Sequence, residues 1–268
     1  MTIVIGMLCE GGALLCADTK GVMGDGSVFE CKKIRVDSAK WGTFAIADSA
    51  NDAYAAQTLI GRIVDSLKVS AISKWKDLIA SVSCEMEEWC RPFKEIPDTS
   101  LLLVCSIYGL GVQMYLCQPP NTVIEKREYA AIGCGSAVTD ALEGALFKTS
   151  DLSVLQHPQK NLRQISYLMY RAKKDHAFCG MRTQGVYVRC DADTELINPL
   201  DLEAAEKQSQ KLDFLLRATT AFALFSDPGA NLQTNAKGIG DMLIGLSGLR
   251  AVQFHRIEGE IIGGRDEQ

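Results

Sequence analysis

Three side chains near the start of the chain could together break an amide bond: Thr2, Asp18 and Lys33. Thr2 follows Met1, so removal of the methionine would leave a hydroxyl and a free α-amine on one residue. An α-amine titrates near about pH 8 and can accept the hydroxyl proton without help from a histidine. This pattern predicts Thr2 as a nucleophile whose own amine is the base. The plain alternative is an ordinary strand residue, because one residue is a weak motif.

The surrounding elements predict that the three residues meet. Residues 2–9 are β-branched and apolar, residues 10–12 form a Glu-Gly-Gly turn, and residues 13–19 continue as a second strand. Hairpin pairing brings Asp18 beside Thr2, while Lys33 opens a strand that follows a glycine-rich loop. A buried Lys33 would disfavour a proton on the amine, and Asp18 would balance its charge. An exposed Lys33–Asp18 salt bridge is the alternative.

Composition and charge argue against several classes of protein, although the net charge leaves a local basic patch open. Hydrophobic residues make up 47% of the 268 residues and charged residues 23%, which is typical of a globular protein. The net charge of −5 argues against a nucleic-acid binder, which needs surplus Lys and Arg to displace phosphate counterions. No segment approaches the roughly 20 apolar residues of a membrane span, and the N-terminus lacks the basic region of a signal peptide. We therefore expect no nucleic-acid or membrane partner.

The cysteines predict a reducing compartment. The ten cysteines lie mostly in apolar runs, where cysteine behaves as a small buried hydrophobe. They include no CxxC pair that could begin a zinc site. Free thiols in this number favour a cytoplasmic protein, and no metal or cofactor is expected. Cys134 precedes a predicted helix, which favours a thiolate, but no histidine partner is evident for a nucleophilic role.

The rest of the chain falls into blocks of strands and blocks of helices. Apolar residues follow a helical period over residues 50–69, 75–92, 136–148, 160–174 and 200–226. Strands are predicted over residues 100–118 and 123–133, with a hairpin over 185–197. Such blocks predict an α+β fold in which two antiparallel sheets pack face to face, with a helical layer outside each. We expect a single domain over 1–268, with a helical C-terminal extension from about 200 that includes a helix near 237–250.

Three segments of the sequence resemble a known family. Residues 2–21, 32–53 and 130–142 look like a proteasome β-type subunit of the N-terminal-nucleophile hydrolase superfamily, and the chain is similar to bacterial proteasome-like homologues. The resemblance implies a four-layer αββα sandwich, threonine catalysis on peptide bonds, and stacked rings that enclose a chamber. In the family pattern Thr2 matches the nucleophile, Asp18 the acidic residue ending the second strand, and Lys33 the catalytic lysine. Residues 133–135 match the glycine turn beside the active site.

The chain departs from the family pattern around these three residues. Asp48 stands where the family has the glycine whose N–H stabilises the oxyanion, and a carboxylate there would oppose developing negative charge. Cys134 and Cys179 replace two supporting serines, and thiols are weaker hydrogen-bond partners than hydroxyls. By spacing, the supporting aspartate falls on His176, with Asp175 one residue away. The resemblance also points to Ile46, Ala50 and Arg35 as pocket residues.

Three functional hypotheses remain open. The leading one is a threonine-type peptidase within a homo-oligomeric ring, acting on peptide or protein substrates with or without an ATPase unfoldase as partner. In it, Thr2 is the nucleophile, Asp18 and Lys33 tune the site, the backbone near Asp48 binds the oxyanion, and a water near Cys134 and Cys179 relays the proton. The second is a non-catalytic ring or scaffold subunit. The third is an amidase that uses the same nucleophile on small amides.

Overall fold

The computed structural model describes residues 2–147, 157–225 and 254–256. Its helices are α1 (Ala53–Val69), α2 (Trp75–Cys90), α3 (Ser136–Leu142), α4 (Pro158–Asp175) and α5 (Pro199–Phe225). Its strands are β1 (Ile3–Cys9), β2 (Gly12–Asp18), β3 (Lys20–Val22), β4 (Val28–Glu30), β5 (Ile34–Ala39), β6 (Gly42–Ala50), β7 (Thr99–Ile107), β8 (Gly111–Gln118), β9 (Thr122–Lys126), β10 (Tyr129–Gly133), β11 (Thr183–Arg189), β12 (Thr194–Ile197) and β13 (Phe254–Arg256). The helix predicted near 237–250 lies outside the described residues.

The first sheet has six strands in the order β10-β1-β2-β11-β12-β13, and its pairings are antiparallel. The N-terminal hairpin is confirmed, with Val4 opposite Ala17 and Cys9 opposite Gly12. Strand β1 is central because β10 pairs with its other edge, where Ile3 lies opposite Gly133. This register places the start of the chain between the end of β2 and the end of β10.

The second sheet contains β5 to β9 in sequence order, again antiparallel. Between the two sheets along the chain, β3 and β4 form a separate two-stranded arm, with Gly21 opposite Phe29. The sequence predicted a loop there followed by one strand ending near Val36; the structure shows an arm and a strand β5 that continues to Ala39. The arm matters because its return delivers Lys33 to the start of β5.

Three apolar clusters hold these elements together. One lies between the sheets and joins inward-facing residues of both, among them Val4, Leu15, Ala45 and Leu102. A second packs helices α1 and α2 on the second sheet, and a third packs α4 on the first sheet. Alternation of side chains along each strand explains why the same strands serve two clusters. The protein is α+β, with two main antiparallel sheets and five α-helices among the described residues.

The helical periods in the sequence predict the helices well. Helices α1, α2, α4 and α5 form over nearly the predicted ranges. Helix α3 is shorter than predicted, because after Leu142 the chain continues as a π-helical turn over Glu143–Phe147. In the parts of the chain that the structure describes, none of the helices is both long enough and apolar enough to cross a membrane.

Candidate active site

Thr2, Asp18 and Lys33 lie together in a buried hydrogen-bond network. The Thr2 hydroxyl donates to Asp18 Oδ1 and accepts from Lys33 Nζ. Lys33 Nζ lies 2.8 Å from Asp18 Oδ1 and donates a further bond of 2.6 Å to the carbonyl of Lys20. Thr2 is 3% exposed, Asp18 0% and Lys33 8%. The ion pair is therefore buried, which rules out the exposed salt bridge that the sequence left open.

The strands explain why these three residues meet. Thr2 directly precedes β1, Asp18 ends the antiparallel partner β2, and Lys33 directly precedes β5 of the other sheet. The network thus joins the two sheets at one end of the interface between them. Both charges have multiple partners, as a buried pair requires if its desolvation cost is to be offset.

Asp18 is held by backbone donors as well as by side chains. Its Oδ1 accepts from the Ile3 N–H at 3.1 Å, and its Oδ2 accepts from the Gly180 N–H at 2.9 Å. Gly180 lies in the loop between α4 and β11, and Lys20 Nζ fixes that loop through a 2.6 Å bond to the carbonyl of Ala177. The carboxylate orientation therefore depends on a loop distant in sequence.

Gly133 lets the β10 strand approach the N-terminus closely. Its φ is +100°, a backbone conformation that favours glycine. A Cβ at this position would lie 2.1 Å from the carbonyl oxygen of Thr2, so any larger residue would displace Thr2. Ser49 of β6 is also close, with Oγ 2.9 Å from that Cβ position. The glycine turn predicted from the sequence lies beside Thr2.

Cys134 and Cys179 form a thiol pair next to Thr2. Cys134 Sγ lies 3.3 Å from the Thr2 carbonyl oxygen and 3.5 Å from Cys179 Sγ. The hydrogen bond from Cys179 lowers the pKa of the Cys134 thiol, and the charge of His176 acts in the same direction. The same bond, together with burial, raises the pKa of the Cys179 thiol. The pair thus holds one proton tightly and the other loosely.

Asp48 is a buried carboxyl on β6. It is 8% exposed, and its Oδ1 accepts a 3.1 Å hydrogen bond from Gln57 of α1. Burial raises the pKa of Asp48 to about 6, against an opposing effect of the Lys33 charge. The β5–β6 pairing ends at Ile34 and Ala47, so Asp48 is the first β6 residue beyond that ladder.

The sequence offered two neighbouring residues for the supporting position, His176 by spacing and Asp175 beside it, and the structure separates them. Asp175, the last residue of α4, pairs through Oδ2 with Arg171 at 2.7 Å, an ion pair within the helix. The neighbouring His176 instead lies beside Cys134 and Cys179, with potential metal-binding atoms of all three within 4.8 Å of one another. The end of the helix separates the two residues, because α4 ends at Asp175 and His176 is its C-cap with an extended backbone.

The predicted pocket residues divide in the structure. Ile46 is fully buried in the cluster under α1 and α2, so its assignment to a pocket is wrong. Arg35 lies opposite Ile46 in the β5–β6 ladder and is exposed. Ala50 does line a cleft of about 310 Å³, whose other lining residues are Ser49, Asn51, Asp98, Ser100, Gly133 and Cys134. The cleft reaches the Thr2 network at Gly133 and Cys134, which both lie against the Thr2 carbonyl.

Sequence reasoning missed the backbone donor at Gly180 and the carbonyl of Lys20. Backbone groups carry no residue signature, so neither contact with the Asp18–Lys33 pair was predictable from residue type. His176 and Cys179 stand three residues apart, and the Cys179 N–H donates to the His176 carbonyl at 3.1 Å in a turn. The resemblance assigned Cys134, Cys179 and His176 to supporting positions of one site, and the structure brings the three together.

Comparison with known proteins shows a shared fold. No family model and no curated protein sequence matches the chain.

Solved structures of Anbu do match. Anbu from Hyphomicrobium sp. strain MC1 has a TM-score of 0.68 at 16% identity, covering 85% of this chain and 100% of its own. Anbu from Yersinia bercovieri, described as an ancestral β-subunit, has a TM-score of 0.67 at 13% identity, covering 86% and 100%. The Anbu complex from Pseudomonas aeruginosa, described as a helical assembly, has a TM-score of 0.66 at 13% identity, covering 85% and 99%. At these identities the likeness establishes the fold that this chain shares with Anbu.

Proposed function

We propose that the chain is an N-terminal threonine hydrolase of amide bonds, related to proteasome-like β-subunits. The observation that carries the proposal is the buried contact of the Thr2 hydroxyl with both Lys33 and Asp18. A structural threonine in a strand does not need a buried ion pair at its hydroxyl. Burying an ion pair carries a desolvation cost and is weak evidence for stability. An ion pair at this hydroxyl therefore favours a functional role for Thr2.

The chemistry requires that Met1 be removed, a residue outside the described part of the chain. The Thr2 α-amine then takes the hydroxyl proton, directly or through a water, as Oγ1 attacks the substrate carbonyl. Lys33 stabilises negative charge on Oγ1, and Asp18 keeps Lys33 in place. The proton passes to the leaving amine, leaving an ester on Thr2. Water then cleaves that ester, returns a proton to Oγ1 and releases the acid.

The oxyanion would be stabilised by backbone N–H groups near Asp48, where β6 extends beyond its pairing with β5. A charged Asp48 carboxylate opposes that stabilisation, while a protonated one does not. Because burial raises the pKa of Asp48 to about 6, the carboxyl is neutral over part of the acidic range. The position thus makes the site sensitive to mild acid.

We further propose a single domain over residues 1–268 with the four-layer αββα order, in a cytoplasmic homo-oligomer that cleaves peptides. The three apolar clusters and the fold shared with Anbu support this order. The Pseudomonas aeruginosa Anbu complex is described as a helical assembly, which supports self-association of this fold. Electron microscopy of the purified protein would separate a closed ring from an open helix, and co-purification would show whether an unfoldase binds.

The catalytic claim is tested at Thr2 directly. An epoxyketone inhibitor bonds both the hydroxyl and the amine of one residue, so it distinguishes Thr2 from the Cys134 thiol. We expect intact mass to show loss of Met1 and one bound inhibitor on the N-terminal peptide. Thr2→Ala should abolish labelling and peptide hydrolysis, while Thr58→Ala, an exposed threonine on α1, should leave both unchanged. Unlabelled Thr2 in a chain lacking Met1 would refute the proposal.

A non-catalytic scaffold is the second candidate, and Asp48 with the thiol pair favours it. These changes weaken oxyanion stabilisation and hydrogen bonding beside an intact nucleophile. Retention of Met1, which blocks the Thr2 amine, would establish the scaffold role. If Thr2 is labelled, a panel of peptides and small amides would separate a peptidase from a small-amide amidase.

A further inference from the structure

We propose that Cys134, His176 and Cys179 bind one Zn²⁺ ion. The three residues come from two elements, the turn after β10 and the loop after α4, and their candidate ligand atoms lie within 4.8 Å of one another. The inference is independent of the proposed hydrolase activity, because it rests on the donor set alone.

The two sulfur atoms are spaced for a shared ion. In a tetrahedral site with Zn–S bonds of about 2.3 Å, two thiolates lie about 3.7 Å apart. Cys134 Sγ and Cys179 Sγ are 3.5 Å apart, so a zinc ion can bridge them with little movement. A hydrogen bond between two thiols is weak. Little stabilisation is therefore lost when a metal ion replaces the bond between these two.

A ring nitrogen of His176 is the third candidate ligand. Within the described part of the chain, its Nδ1 accepts a long 3.4 Å hydrogen bond from the Phe178 N–H, and either ring nitrogen can bind a metal. The His176 backbone is fixed as the cap of α4, where its N–H donates to the Ala172 carbonyl at 3.0 Å. The 3.1 Å bond from the Cys179 N–H to the His176 carbonyl keeps the two ligands of this loop in register.

The surroundings favour zinc over harder or smaller cations. Cys179 is 3% exposed, while Cys134 and His176 are half-buried, so one side of the site is open for a fourth ligand such as water. Two thiolates and one imidazole with an open position form a known zinc donor set, whereas Mg²⁺ and Ca²⁺ prefer oxygen ligands.

The test uses Zn²⁺ itself with the full-length chain, reduced by a phosphine and stripped of metal. We expect one zinc per chain after dialysis, measured by atomic spectrometry. Competition with a chromophoric chelator should show an affinity loss of at least about 100-fold in Cys134→Ser, Cys179→Ser and His176→Gln, since even outer-sphere changes cost 10- to 100-fold. Cys84→Ser and Cys190→Ser, which change exposed thiols, should bind like the wild type.

Cobalt substitution keeps the test valid if a ligand variant fails to fold. Co²⁺ bound to the wild-type chain should give thiolate charge-transfer bands and the visible bands of a tetrahedral ion. Absence of the thiolate bands, less than one zinc per reduced chain, or unchanged affinity in all three ligand variants would overturn the proposal. A reduced chain that takes up no zinc but forms a Cys134–Cys179 disulfide in air would also overturn it. Thr2→Ala should bind zinc normally, which separates this result from the test of catalysis.

Discussion

Two adjacent regions beside Thr2 are built on different principles. Around Asp18 and Lys33, each charged group meets strong donors or acceptors, and Asp18 alone accepts four hydrogen bonds, from Thr2, Ile3, Lys33 and Gly180. On the other side of the Thr2 peptide, the Cys134 thiol lies 3.3 Å from the Thr2 carbonyl oxygen and 3.5 Å from the Cys179 thiol. The first region is a buried network of charged groups. The second is a partly exposed region of weak thiol contacts.

The difference teaches which contacts fix the fold and which can vary. Removing a member of the charged network leaves a buried charge without its partner, which is costly. Replacing a thiol by a hydroxyl changes the strength of a contact without leaving a charge behind. Three substitutions, taken from the largest expected effect to the smallest, test this contrast.

Lys33→Met should have the largest effect. It removes the cation from the fully buried Asp18 while keeping a side chain of similar length. We expect the free energy of unfolding to fall by about 3 to 5 kcal/mol, measured by urea denaturation near neutral pH. Lys68→Met is the matched control, because Lys68 pairs with Asp37 at the surface and should cost less than about 1 kcal/mol.

The double variant Asp18→Asn with Lys33→Met should recover part of the loss, since it removes both charges. If Lys33→Met costs no more than Lys68→Met, the buried pair does not dominate this region and the contrast with the thiols fails.

Asp48→Asn should have an intermediate effect that depends on pH. Burial raises the pKa of Asp48 to about 6, so the folded chain holds this proton more tightly than the unfolded chain does. Wild-type stability at this position therefore falls as pH rises from about 4 to about 6, and the cost is constant above that range. Asparagine carries no charge, so the variant should gain up to about 3 kcal/mol over the wild type above pH 7.

At pH 4 the same variant should match the wild type, because Asp48 is then protonated in the folded chain. Urea titrations at pH 4, 5, 6 and 7.5 would measure the difference, with Asp65→Asn on the exposed face of α1 as control. A difference that stays constant from pH 4 to 7.5 would contradict burial as the cause.

Cys134→Ser combined with Cys179→Ser should have the smallest effect on stability. A hydroxyl pair fits the space of the thiol pair, so we expect the free energy of unfolding to stay within about 1 kcal/mol of the wild type. The stronger donor at position 134 should raise the rate of inhibitor labelling at Thr2. Cys105→Ser, in the apolar core under α1 and α2, should cost about 1 to 3 kcal/mol because its hydroxyl loses water. Equal losses in both variants would show that the thiol region is ordinary core.

The sequence predicts the hairpin from local rules, whereas the match of Lys33 to the family pattern indicated that this residue joins Thr2 and Asp18. Two apolar runs joined by a Glu-Gly-Gly turn specify the pairing that returns Asp18 to the start of β1. The helices follow from their apolar period in the same way. The sequence misplaces Ile46 because strand register decides which face of β6 packs against the helices. The family resemblance does not fix that register.

The family resemblance, and not a local rule, predicted that the two thiols belong to one site. Cys134 and Cys179 are 45 residues apart, and only the packing of α4 on the first sheet brings them together. Whether Asp175 or His176 joins them depends on the residue at which α4 ends, and element ends are poorly specified by sequence.

For the hydrolase proposed above, the cleft beside Gly133 has a consequence for substrate selectivity. Its walls carry hydroxyl, amide and carboxylate groups, and Asn51 already donates a 3.1 Å bond to Asp98. An aliphatic substrate side chain entering here would strip water from these groups without giving anything back. A side chain with donors of its own would not, and such sites can favour the matching substrate by several orders of magnitude. Hydrogen-bond matching, more than size, would then govern what the protein accepts.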